Sequence, residues 1–323
     1  MNSGNTLALG VDIGGTKIAA GVVDDGGSIL RQARVPMAAH GGPAAGLAAV
    51  VSAIKAVTES LDQAGGLRGI GICSPGPLDP ARGVVINPPN LPCWRDYPLA
   101  AEVGKAFGIP VRLDNDANAA ALAEAQWGAG RGYRNVFYAT LGTGIGTGIV
   151  LDGRIYHGRT GAAAEGGHVS IDYRGPRCGC GKPGCIEALA SGPAIARRAQ
   201  GKLAGGRQSA ILGLAGGKPE AVSSEMVGQA FAGGDAVARE VLLETVELVA
   251  LWLGNMVDLL EPDVMVMGGG VAAMLSPLME GIRGRLPAYC VNSRGGEIPL
   301  VPARYGVDAG IAGGAALCRG ASE

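Results

Sequence analysis

DIGGTKIAAGVVDD, residues 12–25, and TLGTGIGTGIVLDG, residues 140–153, align without gaps at a spacing of 128 residues. Gly14 falls on Gly142, Val22 on Val150 and Asp24 on Asp152. In each stretch an apolar run enters a glycine turn and leaves it as a second apolar run. That is the pattern of two strands joined by a turn, not of a strand feeding a helix. A duplication of this unit restricts the fold to two similar halves, although glycine-rich turns recur by chance and two unrelated hairpins would look alike. The segments downstream of each copy favour duplication. TLALGVDI, KIAAGVV and SILRQARV read as three antiparallel strands with DDGG as a hairpin turn. Leu47, Val50, Val51, Ile54, Val57 and Leu61 then repeat at helical spacing, predicting a helix over about 43–64. LRGIGI and PVRLD read as strands around a helix at about 98–107, giving the order βββ-α-β-α-β. After the second copy come a long helix over about 235–261, the strand DVMVM, a glycine turn, more helix and EIPLVPA. The expectation is an α/β chain of two similar domains facing one cleft. A last helix, about 308–318, fits either domain.

The 323 residues suffice for two domains with a substantial core. A formal net charge of −1 gives no support for nucleic acid or a membrane surface as partner. No apolar run reaches the roughly 18 residues of a membrane span, and MNSGNTLALGVDIGG lacks the basic start and apolar stretch of a secretory signal. A cytoplasmic enzyme is the default.

DIGGTK joins two strands, so it is neither a Walker loop nor a dinucleotide fingerprint. Gly14 and Gly15 allow a tight turn whose unshielded amides can form an anion nest. Thr16 adds a hydroxyl donor and Lys17 a positive charge, while Asp12 is placed to hold a metal-bound water. A plain glycine hairpin accounts for the glycines but not for the Asp, Thr and Lys around them. Gly142, Thr143 and Gly144 would supply an opposing wall. Gly268, Gly269 and Gly270, between a strand and a helix, would let an adenine or ribose lie against bare backbone. Three such signals in this order point to an ATP cleft.

VRLDNDANAAALAEAQW places Asp114, Asn115 and Asp116 at the end of a strand and the start of a strongly helical run. Asp116 or Asn118 is a natural helix cap. Capping does not need all four polar residues, whereas phosphoryl transfer to an alcohol wants one carboxylate to accept the hydroxyl proton. A neighbouring amide would orient the sugar. Asn115 and Asp116 suit those roles, with Asp114 the alternative base.

The seven cysteines are odd in number and unevenly spaced, which argues against a disulfide framework. Cys178, Cys180 and Cys185 crowd into CGCGKPGC, and His168 offers a fourth ligand. Three thiolates and one imidazole make a closed tetrahedral set, which for zinc is structural. Glu165 precedes His168 by three residues and Glu187 lies two beyond Cys185. One ion would tie both carboxylates into a wall suited to vicinal sugar hydroxyls.

DIGGTK, SPG (Ser74–Gly76), LDNDAN, LGTGIGTG, EGGH (Glu165–His168), CGCGKPGCIE and MGGG occur here in an order that resembles the ROK family of bacterial sugar kinases and sugar-responsive repressors. The likeness covers essentially the whole chain; EGGH with the cysteine module is its most specific part. It implies an actin-like (ribonuclease H-like) ATPase fold assembled as a homodimer or homotetramer. It implies Asp116 as base, with Gly76, Asn115, Glu165, His168 and Glu187 on the sugar and His168 also ligating zinc with Cys178, Cys180 and Cys185. The small domain would hold residues 1–117 plus about 305–323, and the large domain 118–304. Repressors of the family carry an N-terminal helix-turn-helix, whereas the first strand here begins near Leu7 and Asp116 is present, so an enzyme is expected. Together these features imply an ATP- and Mg²⁺-dependent kinase acting on the 6-hydroxyl of glucose. Kinases of N-acetylglucosamine or N-acetylmannosamine are alternatives within the family, and a non-catalytic sugar-sensing regulator is one of another class.

Overall fold

The computed structural model describes residues 7–59 and 66–319. Leu61 and the end of the helix expected over 43–64 lie outside the described residues, as do residues 1–6 and 320–323 of the expected small domain. In chain order the first copy gives β1 (Leu7–Ile13), β2 (Lys17–Val23), β3 (Ile29–Pro36), α1 (Pro43–Thr58), β4 (Leu67–Ser74), β5 (Leu78–Asp79), β6 (Val84–Val85), α2 (Leu99–Phe107), β7 (Val111–Asn115) and α3 (Asp116–Gln126). The second gives β8 (Asn135–Leu141), β9 (Ile145–Leu151), β10 (Arg154–Ile155), α4 (Ile186–Ala190), α5 (Gly192–Ala204), α6 (Ala210–Leu214), α7 (Ser224–Ala232) and α8 (Ala236–Leu260). It ends with β11 (Val264–Gly268), α9 (Gly269–Leu275), α10 (Met279–Arg283), β12 (Leu300–Pro302) and α11 (Ala309–Leu317).

One five-stranded sheet runs β3-β2-β1-β4-β7 and the other β10-β9-β8-β11-β12, so the two copies correspond strand for strand. β1 and β8 are both seven residues long and stand 128 positions apart, as do β2 and β9. Each sheet is mixed. β1-β2-β3 is an antiparallel meander while β4 and β7 run parallel to β1; β9 and β10 are antiparallel, β11 and β12 parallel. The turns repeat too. Asp24 Oδ1 accepts the N–H groups of Gly26 (2.9 Å) and Ser28 (2.8 Å) to shape the first. In the second, Asp152 and Gly153 take φ of 49° and 75°, the left-handed pair that a two-residue hairpin of this twist requires.

The described parts of Met1–Tyr138, Gly148–Ala164 and Arg304–Glu323 form one compact unit, and Ala139–Thr147 with Glu165–Ala303 form another. In the first, residue size alternates along the strands and decides what covers each face of the sheet. Leu9, Val11 and Ile13 of β1, Ile18 and Val22 of β2 and Ile70 and Ile72 of β4 point to one face, where α1 buries Val50, Ala53, Ile54 and Val57 against them. The intervening positions are small: Ala8, Gly10, Ala19, Gly21, Gly69 and Gly71. That face is covered by α11 and by alanine-rich α3. A Cβ on Gly71 would stand 1.7 Å from the Gly314 carbonyl oxygen, and one on Gly10 would stand 1.8 Å from that of Ile311. The helix therefore rests backbone to backbone on the sheet, an approach only glycine permits. The packing of the last helix, open from sequence, is settled in favour of this unit. Gly71→Ala is expected to lower unfolding stability by about 3 kcal/mol, the upper range of overpacking costs. Chemical denaturation measures it, and an unchanged midpoint would rule out this docking.

In the second unit α8 buries Val241, Leu242, Val246, Val249, Trp252, Leu253 and Val257 along its length. Among the described residues no helix is long and apolar enough to cross a membrane.

Candidate functional site

In the first unit, register brings the polar positions into a row. Asp12 of β1 pairs with Cys73 of β4, which pairs with Asp114 of β7; Ser74 pairs with Asn115 one step on. Hence the GGTK turn, the SPG loop and the start of α3 emerge at one end of the sheet, beyond the carboxyl ends of its parallel strands, where open α/β sheets hold their ligands. A Cβ on Gly76 would lie 4.0 Å from Asn115 Nδ2, so these two expected sugar contacts are neighbours.

The three polar residues at the end of β7 have separate tasks. Asp114 is only 3% exposed. Its Oδ1 accepts Asn115 N–H (2.7 Å) and Asn118 Nδ2 (3.2 Å), and its Oδ2 meets His157 Nε2 at 2.6 Å. The His157 imidazole is held above its ordinary range by that carboxylate. Asn115, and neither Asp116 nor Asn118, caps α3: its Oδ1 accepts from Ala117 N–H and Asn118 N–H. Asp116 stands exposed in the first turn, with Oδ1 on Ala117 N–H at 2.8 Å. Of the two candidate bases, Asp114 is thus saturated by structural partners and Asp116 faces solvent.

At the GGTK turn, Gly14 N–H closes onto the Lys17 carbonyl at 2.9 Å, so an anion nest there rests on the later amides of the turn. Thr16 and Lys17 are exposed. Asp12 is pushed up to about 6, first by burial and then by the Asp116 charge. Between about pH 4 and 6 the folded state therefore holds more protons than the unfolded one, so stability falls as pH rises through that window and stays lowered above it. Asp12→Asn is expected to stabilise the ligand-free protein by about 2 kcal/mol at pH 7.5 and not at pH 3.5. Urea unfolding at the two pH values tests this; an equal effect at both would remove the electrostatic cause.

In the second unit, His168, Cys178, Cys180 and Cys185 come together with all four ligand atoms within 4.8 Å of one another. Cys180 Sγ and Cys185 Sγ are 3.6 Å apart, as are Cys178 Sγ and His168 Nδ1. A tetrahedral zinc with Zn–S bonds of about 2.3 Å needs sulfurs about 3.8 Å apart, so the cluster fits the ion. His168 turns Nδ1 to the thiols while Nε2 lies 4.0 Å from Glu165 Oε2. Glu187 Oε2 accepts Ile145 N–H at 2.9 Å, and its Oε1 is 3.5 Å from Cys178 Sγ. The bare backbone of Gly144 makes room for it: a Cβ there would meet Glu187 Oε2 at 2.7 Å. Behind Glu165 the chain is pinned by Gly166 N–H on Thr147 Oγ1 (2.8 Å) and by Trp252 Nε1 on the Gly166 carbonyl (3.0 Å).

The same unit holds a cavity of about 1070 Å³ lined in part by Gly142, Thr143, Gly192, Ser223, Gly228 and Gly270. Its size suits a nucleoside. Of the expected nucleotide-binding residues in this unit, Gly142, Thr143 and Gly270 line it, while Gly144 sits against Glu187. Gly268 ends β11, and Gly269, at φ 87°, turns the chain against the Leu141 carbonyl. Sequence reasoning missed His157, Thr147, Trp252 and the α7 cap Ser223. Only His157 carried a signal, as one of three histidines in the chain.

Two mixed five-stranded sheets of matching order define an α/β chain with the actin-like ATPase fold. The chain belongs to the ROK family, whose model matches residues 8–321. It is similar to a ROK family glucokinase from Streptomyces griseus whose crystal structure holds glucose and AMPPNP. That likeness has a TM-score of 0.81 and 35% identity, over 97% of this chain and 99% of that one. A glucokinase of Streptomyces coelicolor is 35% identical over 97% of this chain and 98% of its own. An N-acetylmannosamine kinase of Escherichia fergusonii is 32% identical over the same shares.

Proposed function

We propose that the protein is a glucokinase, a cytoplasmic ATP-dependent enzyme that phosphorylates the 6-hydroxyl of glucose. The observation that carries the reading is the division between Asp114, fully engaged by His157 and the start of α3, and Asp116, exposed in the first turn of that helix. A carboxylate so placed accepts the hydroxyl proton as the oxygen attacks the γ-phosphorus, and ADP leaves with the bridging oxygen. Asn115 Nδ2 and Gly76 orient the sugar next to that carboxylate. Glu165, His168 Nε2 and Glu187 take its remaining hydroxyls. Thr16 and Lys17, with Gly14 and Gly15 shaping their turn, hold phosphate. Gly142, Thr143 and Gly270 line the adenosine cavity, with Gly144, Gly268 and Gly269 setting the backbone around them. Asp12 would hold Mg²⁺ through a water, and the ion would offset charge on the phosphates. Zinc on His168, Cys178, Cys180 and Cys185 is structural, because four protein ligands leave no position for substrate. The expected division into residues 1–117 with 305–323 and residues 118–304, and assembly as a homodimer or homotetramer, belong to the same reading.

Glucose rests on the glucokinase relatives, and the similar identity to an N-acetylmannosamine kinase makes the sugar the part to test. Phosphorylation rates with glucose, N-acetylglucosamine, N-acetylmannosamine, mannose and fructose at one ATP concentration are expected to give glucose the highest kcat/KM. An N-acetylated sugar in first place would replace the substrate, and no turnover with any of them would end the kinase reading.

A further inference from the structure

We propose that the first unit carries a second ligand site, for a small hydroxylated phosphate ester. A cavity of about 810 Å³ opens along β7 and α3, beside the segment after β9. Four arginines line it: Arg82, Arg112, Arg154 and Arg159. Its two acids are already committed. Asp114 meets His157 at 2.6 Å, and Asp79 stands 3.9 Å from Arg82. Arg112, Arg154 and Arg159 form no ion pair among the described residues. Three guanidinium groups around one hollow repel each other, and a phosphoryl group, with oxygens matched to their forked donors, removes that cost.

Exposed arginines alone could be a solvated face. Here the lining adds two features that a solvated face lacks. Leu113, Leu122, Ile155 and Leu317 give the hollow an apolar floor. Gln126, also in the lining, has a buried Oε1 with no hydrogen-bond partner. A buried carbonyl oxygen left unpaired costs free energy, and a side-chain rotation that turns the Gln126 amide into the hollow would let a ligand hydroxyl donate to it and recover that cost. Together these point to an occupant with a phosphoryl group at the arginine rim and hydroxyls toward Gln126. None of the residues assigned to sugar, phosphate or adenosine lines this cavity. Its one link to them is Asp114, which binds both His157 and Asn115 N–H, next to Asp116.

Calorimetric titration of the full chain with ribose 5-phosphate and with inorganic phosphate, without nucleotide, tests the site. Ribose 5-phosphate is not a hexose, and no turnover is read, so the result stands whether or not the kinase reading does. Wild-type protein is expected to bind the ester more tightly than inorganic phosphate. Arg112→Ala with Arg159→Ala should weaken it by at least about tenfold, in line with charge-assisted hydrogen bonds. Gln126→Leu should bring the ester down to the affinity of inorganic phosphate, and Arg239→Ala, an exposed arginine elsewhere, should change nothing. No binding to wild-type protein, or unchanged affinity in the double arginine variant, overturns the site. So does loss of binding in Lys17→Ala with retention in the double variant, which would place the ester at the phosphate hairpin. Equal wild-type affinity for ester and inorganic phosphate overturns the assignment of hydroxyls to Gln126.

Discussion

Asp116→Asn is expected to lower kcat by about 10²–10⁴-fold, the range of general-base contributions, with sugar affinity largely kept. The substitution keeps an oxygen for Ala117 N–H, now accepted at 2.8 Å, so α3 begins as before. What it removes is the charge. A carboxylate charge in the first turn of a helix is favoured by the helix dipole. Asp114 is not a competitor: it is buried, and Asn115 N–H, Asn118 Nδ2 and His157 Nε2 occupy both of its oxygens. Steady-state kinetics beside a calorimetric sugar titration separates the outcomes. Near-normal turnover would reject Asp116 as the base; lost sugar binding would make Asp116 a binding residue.

Removal of the metal carries the second large effect. Metal analysis is expected to give about one zinc per chain, and chelation or Cys185→Ser to weaken sugar binding by at least about tenfold. The geometry gives the reason. Nδ1 of His168 belongs to the cluster and Nε2 faces Glu165, so a metal held at Nδ1 would also fix the nitrogen proposed to meet the sugar. Glu187 is fixed at one oxygen by Ile145 N–H and stands beside Cys178 with the other. Without the ion, four ligands drawn within 4.8 Å lose what holds them there, and both carboxylates lose their support. Metal-free protein with undiminished sugar affinity would exclude this coupling.

Much of the site was legible because its signals are local. CGCGKPGC with His168 named a tetrahedral ligand set, and the four side chains do converge. The 128-residue offset between two hairpins foretold two sheets of one topology, with β1 matched to β8 and β2 to β9. The long helix expected over 235–261 is Ala236–Leu260, because its apolar period is unbroken along its length. The cap of α3 lies upstream of both expected residues. Asp116 and Asn118 have the right chemistry, but Asn115 has the extended backbone of a cap, at φ −65° and ψ 147°.

By itself the sequence determined which residues are strands, which face of each strand is small, and which side chains can bind a metal or accept a proton. Those properties depend on neighbours a few positions away, through the period of two and the period of 3.6. Only the tertiary structure decided who meets whom. It laid α11 on the glycine face of the first sheet, gave Asp114 to a histidine 43 residues away and hung Glu187 on Ile145, 42 residues away. Partners so distant along the chain are chosen by packing, which no local pattern encodes.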